Sequence, residues 1–177
     1  MIFFTADTHF ADPRVLRLDK RPFATLAEHD AALTDAWNAA VGPEDEVWHL
    51  GDFARGSPAQ KADRLGQLHG RKHLVAGNND DEATLALDGW SSVSSYRELT
   101  VEGRALVLCH YAFRTWNGSG KGALDLHGHS HGRLTPIPGQ YDVGVDVFRF
   151  RPVTLADILV SRRRRKSAEA TSSETRL

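Results

Sequence analysis

Seven residues of metal-binding type recur along the chain: Asp7 and His9, then Asp52, Asn78, His110, and finally His129 and His131. They offer two carboxylates, one amide and four imidazoles. No thiolate joins them, because Cys109 is the single cysteine and lies inside an apolar run. Oxygen and imidazole donors of this kind suit Mn²⁺, Fe or Zn²⁺ better than a soft metal. Each position follows an apolar run that reads as a strand, and in open α/β sheets ligands bind at the carboxyl ends of strands. Taken singly, a turn aspartate or a packed histidine explains each of them. Taken together, five separate segments delivering such groups to one sheet edge point to a metal centre.

The elements that must deliver them are legible in outline. Residues 2–6 read as a buried strand running into Asp7. Thr25-Leu26-Ala27-Glu28 has the form of a capping box, and Leu26, Leu33, Trp37 and Ala40 recur at helical spacing until Gly42-Pro43 ends the helix. Residues 46–50 return to a strand that ends at Gly51-Asp52. Ser57-Pro58 starts a second helix with the apolar face Ala62, Leu65 and Leu68. Residues 72–76 form a third strand ending at Gly77-Asn78. Strands alternating with helices predict an α/β fold. Further on, residues 94–101 and 104–109 flank Glu102-Gly103 as a hairpin. A Gly-rich loop over 111–122, strands over 123–126 and 141–147, and a short helix from about Thr154 complete the reading.

The chain has 177 residues, one domain's worth. One cysteine excludes a disulfide framework and a Cys-rich zinc site. No apolar run approaches a membrane span, and the first residues lack the basic start of a signal peptide, so a cytoplasmic protein without membrane partners is expected. The 22 Lys and Arg against 23 Asp and Glu nearly balance. The balance is uneven, since residues 161–177 carry six basic and two acidic side chains, leaving that segment at +4 and residues 1–160 at −5. A segment of such composition cannot bury a core and is expected to be a disordered basic tail after a domain spanning 1–160.

Asp7-Thr8-His9, Gly51-Asp52, Gly77-Asn78, His110 and Gly128-His129-Ser130-His131, in this order, resemble the five motifs of the calcineurin-like metallophosphoesterase superfamily. Within it, residues 5–10, Arg21-Pro22-Phe23, His110-Tyr111 and residues 143–146 resemble a group of small bacterial and phage phosphoesterases. The resemblance implies a four-layer α/β/β/α sandwich with two mixed sheets. It also implies a dinuclear metal-dependent phosphoester hydrolase, with Mn²⁺ the first choice and Fe, Zn²⁺ or Ni²⁺ also compatible. Asp7, His9, Asp52 and His131 would hold one ion, and Asp52, Asn78, His110 and His129 the other, with Asp52 shared. A shared carboxylate can hold two ions about 3.5–4 Å apart, lowering the pKa of bound water so that hydroxide serves as nucleophile.

The third motif departs from the family pattern, which reads Gly-Asn-His before an acidic residue. Here Asn79 precedes Asp80. Asparagine donates a hydrogen bond but delivers no proton at neutral pH, and general acid help is worth about 10²–10⁴ in rate. A bias toward phosphodiesters, activated leaving groups or substrates that bring their own acid follows, over a phosphomonoesterase acting on nucleotides or phosphoproteins. A third reading is a weakly catalytic metal-binding protein whose Arg-rich tail recruits nucleic acid. Asp80 is expected to orient its neighbours. His127 is a candidate proton donor, since His127, His129 and His131 alternate and would point the same way on an extended segment. Arg21 and Asn117 are candidate substrate contacts. His29, His49, His69 and His73 read as packing or surface residues, as do Trp37, Trp48 and Trp90, while Trp116 lies in a possible site loop. The expected partner is a phosphoester, nucleotide or nucleic-acid-like in character.

Overall fold

Strand and helix alternate through the first half of the computed structural model, which describes residues 1–135 and 137–161. Strands β1 (Ile2–Thr5), β2 (Glu46–His49), β3 (Arg71–Val75) and β4 (Trp90–Ser94) pair in parallel in the order β4-β3-β2-β1. The intervening helices are α1 (Arg14–Leu18), α2 (Leu26–Ala40), α3 (Pro58–Gln67) and α4 (Glu82–Leu85). Thr25 caps α2 by accepting from the Glu28 amide, while the Glu28 carboxylate reaches back to the Ala24 amide at 3.0 Å. Ser57 and Gln60 cap α3 reciprocally. Each cap satisfies amides that the helix leaves without partners, worth about 1 kcal/mol.

The second half builds another sheet from β5 (Arg97–Val101), β6 (Arg104–Leu108), β7 (Leu124–His127) and β8 (Gln140–Asp142). Here β5 and β6 are antiparallel, whereas β6, β7 and β8 run parallel. Strand β9 (Val153–Thr154) returns to the first sheet and pairs antiparallel with β1, so both sheets are mixed. The sheets share an apolar core in which Phe4, Trp48, Leu50 and Val75 meet Leu106, Leu108, Leu124 and Leu126. On its other face the first sheet packs Phe3, Val47 and Leu74 against Leu33 and Trp37 of α2 and Leu65 of α3. The outer face of the second sheet is covered by the 111–122 loop, which carries one 3-10 turn (Ser119–Lys121) in place of a long helix. Buried Asp125 draws that loop in, accepting from the Phe113 amide at 3.1 Å and from Gln140 Nε2 at 2.7 Å. Trp116 donates to the Ala123 carbonyl on the same face, which removes it from the edge that carries Asp7 and Asp52. Residues 155–161 are helical and place Leu155 and Ile158 in the core between the sheets.

Two strands differ from the sequence reading. The stretch expected as one strand over 94–101 is divided between the sheets. Ser94 ends β4, pairing with Val75, and the chain crosses before Arg97. Trp90 anchors β4, its indole donating to the Thr84 carbonyl and its ring lying 5.1 Å from that of Phe53. The strand expected over 141–147 stops at Asp142, because Gly144 turns back on the Asp142 carboxylate and Val145 donates to Ala6 of the first sheet. Helices α1 and α4 are too short to show a 3.6-residue period. The basic segment expected over 161–177 lies, beyond Ser161, outside the described residues.

His49 is wholly buried beside Trp37, Phe53 and Trp90. Its Nε2 donates to Thr8 Oγ1 at 2.9 Å, and that hydroxyl donates to the Phe53 carbonyl at 2.8 Å. Burial pushes its pKa down to about 3. The unfolded chain takes up a proton near pH 6.5 that the folded ring refuses, so stability is full above that pH and falls as pH drops. The loss is about 2 kcal/mol between pH 7 and pH 5. The metal-free protein is therefore expected to melt at lower temperature at pH 5 than at pH 7, with a shallower dependence in His49→Gln. Equal slopes in the two proteins would assign the effect elsewhere.

Candidate metal centre

The parallel strands β1, β2 and β3 end at one edge of the first sheet, and β6 and β7 end beside them in the second. Past those ends the chains stay tied: Asp7 donates its amide to Gly51, His9 to Asp52 and Phe10 to Phe53. The sheets meet where the His110 Nδ1 donates to the Leu50 carbonyl at 2.7 Å. Asp7, His9, Asp52, His129 and His131 all adopt left-handed backbone, with φ between 48° and 64°. Such conformations cost of order 1–3 kcal/mol each and persist where the surroundings enforce them. Here they turn side chains from two sheets toward one another.

Two triplets of donor atoms lie within 4.8 Å of one another: Asp7, His9 and His131, and Asp7, Asp52 and His110. Asp52 Oδ2 stands between His9 Nε2 at 3.5 Å and His110 Nε2 at 3.6 Å. The rings of His9 and His131 stack at 5.4 Å, and the ring of His129 lies 5.1 Å from that of His110. Asn78 Oδ1 is 3.1 Å from His110 Nε2. All seven candidate ligands are thus gathered at one edge, with Asp7, Asp52 and His110 buried and Asn78 and His129 at the exposed rim.

The donors fit divalent cations. His110 Nδ1 donates to a carbonyl, which leaves Nε2 as the nitrogen turned toward the oxygens of Asn78 and Asp52, at 3.1 and 3.6 Å. Two oxygens and an imidazole nitrogen converging at the edge are a donor set that a cation between them would satisfy. Burial pushes the His9 pKa down to about 4, helped by Arg21 and His131 and opposed mainly by Asp52, so its ring is neutral and free to ligate at pH 7. Burial lowers His129 likewise. Burial drives the Asp7 carboxyl well above its ordinary value, with only His131 and the His129 amide favouring the charged form. A bound cation would supply what that carboxylate lacks. Burial alone would raise Asp52 as well, but His110, the two Asn79 hydrogen bonds and His9 hold it below its ordinary value.

Neighbouring residues hold these donors. Asn79 donates its amide to Asp52 Oδ1 at 2.8 Å and its Nδ2 to Asp52 Oδ2 at 2.7 Å. Asp80 accepts from the amides of Asp52, Phe53 and Gly77, clasping two ligand loops together, and burial raises its pKa despite those bonds. Gly77 is required at the seam, since a Cβ there would fall 2.3 Å from Asp52 Oδ1. Asp146 accepts from His131 Nδ1 at 2.8 Å, which leaves Nε2 facing Asp7 Oδ1 at 3.9 Å. Burial would lower His131, yet Asp146, Asp7 and Asp19 outweigh it and raise its pKa.

Three sequence expectations change. Arg21 does not face substrate: its side chain is fully buried and holds Asp146 by two hydrogen bonds and the Asp7 and Thr8 carbonyls by one each. It braces the first ligand loop, together with His29, which meets its Nη1 at 2.9 Å. Asn117 donates to Glu98 and lines a cavity of about 230 Å³ with Thr100, Val107 and Ala123, on the covered face of the second sheet. His127 is the last residue of β7, buried, with Nδ1 donating to the Gly128 carbonyl at 2.8 Å. The left-handed turns at His129 and His131 end the extended geometry on which a shared direction with His127 depended. Sequence reasoning gave no role to Asp12, Asp146 or His29. A carboxylate following a glycine-rich strand end, as in Gly144-Val145-Asp146, was the available signal for one of them.

A two-sheet α/β sandwich with histidines, carboxylates and an amide at its strand ends defines a candidate site for divalent metal ions. The calcineurin-like phosphoesterase superfamily domain matches residues 1–140, and the chain belongs to that superfamily. It is 30% identical to the Gene 66 protein of Mycobacterium phage D29, over 83% of this chain and 88% of that one. An uncharacterized protein of Methanocaldococcus jannaschii, MJ1445, is 27% identical over 90% of this chain and 89% of its own. Among solved structures, the protein of unknown function AQ665 from Aquifex aeolicus aligns with a TM-score of 0.70 at 20% identity, covering 89% of this chain and 97% of that one. That likeness bears on fold. Among the described residues no helix is long and apolar enough to cross a membrane.

Proposed function

We propose that the protein is a phosphoester hydrolase working with two divalent metal ions, Mn²⁺ foremost, and that it favours phosphodiesters. The observation that carries this reading is the convergence of His110 Nε2 with the oxygens of Asn78 and Asp52, in a chain of the calcineurin-like superfamily. Asp7, His9, Asp52 and His131 would hold one ion, and Asp52, Asn78, His110 and His129 the other. Bound ions supply an activated water and offset the charge that gathers on phosphoryl oxygens.

The chain's own residues set the geometry for that chemistry. Leu50 fixes the His110 tautomer, Asp146 fixes that of His131, and the His129 amide holds both oxygens of Asp7, at 3.1 and 2.9 Å. Asn79 keeps both Asp52 oxygens in place and offers no proton to a departing oxygen. A leaving group that departs without protonation is therefore favoured. Hydrolysis of an aryl phosphodiester and the matching monoester in Mn²⁺ tests the reading, and the diester is expected to turn over faster. Asn79→His is expected to raise monoester turnover by about tenfold or more, within the range of general acid help. No turnover of either ester with metal bound would end the hydrolase reading, and a flat response to Asn79→His would end the account of the diester bias.

A further inference from the structure

Asp12 is a buried carboxylate, 1% exposed at its side chain, that holds two arginines at the rim of the ligand cluster. Arg14 donates Nε to both of its oxygens at 3.0 Å and Nη2 to Oδ2 at 2.6 Å. Arg55 donates Nε to the same Oδ2 at 3.0 Å. The same carboxylate oxygen lies 3.7 Å from Nδ1 of His9, so the pair is fixed relative to the metal-binding residues. Arg14 Nη2 also donates to Asn79 Oδ1 at 3.2 Å, and Asn79 in turn donates to Asp52. Both arginine side chains remain close to half exposed, at 44% and 48%. Among the described residues, Arg14 Nη1 and both terminal nitrogens of Arg55 have no protein partner.

Two guanidiniums on one carboxylate leave a net charge of +1 on the trio, with the terminal nitrogens of Arg55 forming a planar N–H fork and Arg14 Nη1 left to donate. That arrangement suits a phosphate oxygen pair better than a point charge would, because the fork donates two parallel bonds. Bringing like charges together is unfavourable unless an anion is shared, and Asp12 answers for only one of the two. The position, beside Asn79 and outside the ligand set, is that of a neighbour to the ester under attack.

We propose that Arg14 and Arg55, locked by Asp12, form a subsite for a second phosphate, so that the substrate class is an ester carrying a further phosphate next to the one hydrolysed, as in an oligonucleotide. The inference rests on the hydrolase reading for the group at the metal centre. It makes Arg14 and Arg55 determinants of specificity, each reading charge and not base identity.

The test is calorimetric binding, in Mn²⁺, of a phosphorothioate-linked thymidine dinucleotide with and without a 5′-phosphate. Wild-type protein is expected to bind the phosphorylated form about tenfold more tightly. Arg14→Met and Arg55→Met are each expected to reduce that ratio to about twofold or less, and Arg104→Met, an exposed arginine on the second sheet, to leave it unchanged. If either Met variant melts early, the Lys variants are read instead and are expected to lower the ratio only in part. The salt dependence of binding is expected to weaken by about 0.7 in slope for each lost phosphate contact. A wild-type ratio near one, a ratio that survives both substitutions, or no binding of either dinucleotide at millimolar concentration overturns the proposal. Turnover of an aryl phosphodiester is followed separately. Turnover without a 5′-phosphate preference removes the subsite alone, and the preference without turnover removes the hydrolase reading alone.

Discussion

Asp52→Asn is expected to abolish metal binding at the shared position and to lower kcat by at least about 10²–10³, the scale lost when one preorganised charge-stabilising group is removed. Asp52 Oδ2 lies 3.5 Å from His9 Nε2 and 3.6 Å from His110 Nε2, so one carboxylate faces both imidazoles. The substitution removes its negative charge and turns one oxygen into an NH₂. That NH₂ would meet either the Asn79 amide or Asn79 Nδ2, both donors, so the hold that Asn79 exerts is also broken. Bound metal per chain, read by elemental analysis beside turnover, checks this. An Asp52→Asn protein that keeps full metal content and activity would place the centre elsewhere.

Arg21→Met is expected to have the largest effect on stability. The guanidinium is buried with Asp146, and removing it leaves that carboxylate and the carbonyls of Asp7 and Thr8 without their partner. Breaking a buried pair from one side costs about 3–5 kcal/mol, which for a chain of this size lowers the melting temperature by roughly 6–20 °C. Burial would raise the pKa of Asp146, but His131 and Arg21 hold it well below the ordinary carboxylate range. The loss of Arg21 therefore loosens His131 as well as the Asp7 loop, and metal affinity is expected to fall along with stability. Arg21→Lys should recover little, since an ammonium cannot span Asp146 and two carbonyls at once. A Met variant that melts like the wild type would show that the brace is dispensable.

How far the sequence led depended on the range of each interaction. Asp7, Asp52 and Asn78 were legible because apolar runs of strand length precede them, and parallel strands necessarily end at a common edge. The two mixed sheets were legible only through the resemblance of the ordered motifs, since nothing local divides residues 94–101 between sheets. Ser91 and Ser92 interrupt the apolar pattern of β4, and the buried anchor Trp90 is recognised only once its partners are known. The fate of Arg21 was decided by Asp146, which lies 125 residues away, a contact that no spacing rule reports. Asn117 was misplaced for a related reason: Asp125, a charge in the middle of a strand, captures the loop backbone and folds it over the outer face. His127 shows the limit of periodicity, because alternation holds only while φ stays negative, and the left-handed turns begin just beyond it.

The central claim is that the gathered donors form a metal centre that hydrolyses phosphoesters. The most direct measurement is aryl phosphodiester hydrolysis by chelated protein as Mn²⁺ is added back, with bound metal counted at each step. The expected result is no turnover after chelation, with activity restored and saturating at about two ions per chain, the number a shared carboxylate can bridge. Full turnover in the chelator, or metal loading at this site with no turnover of any phosphoester, would contradict it.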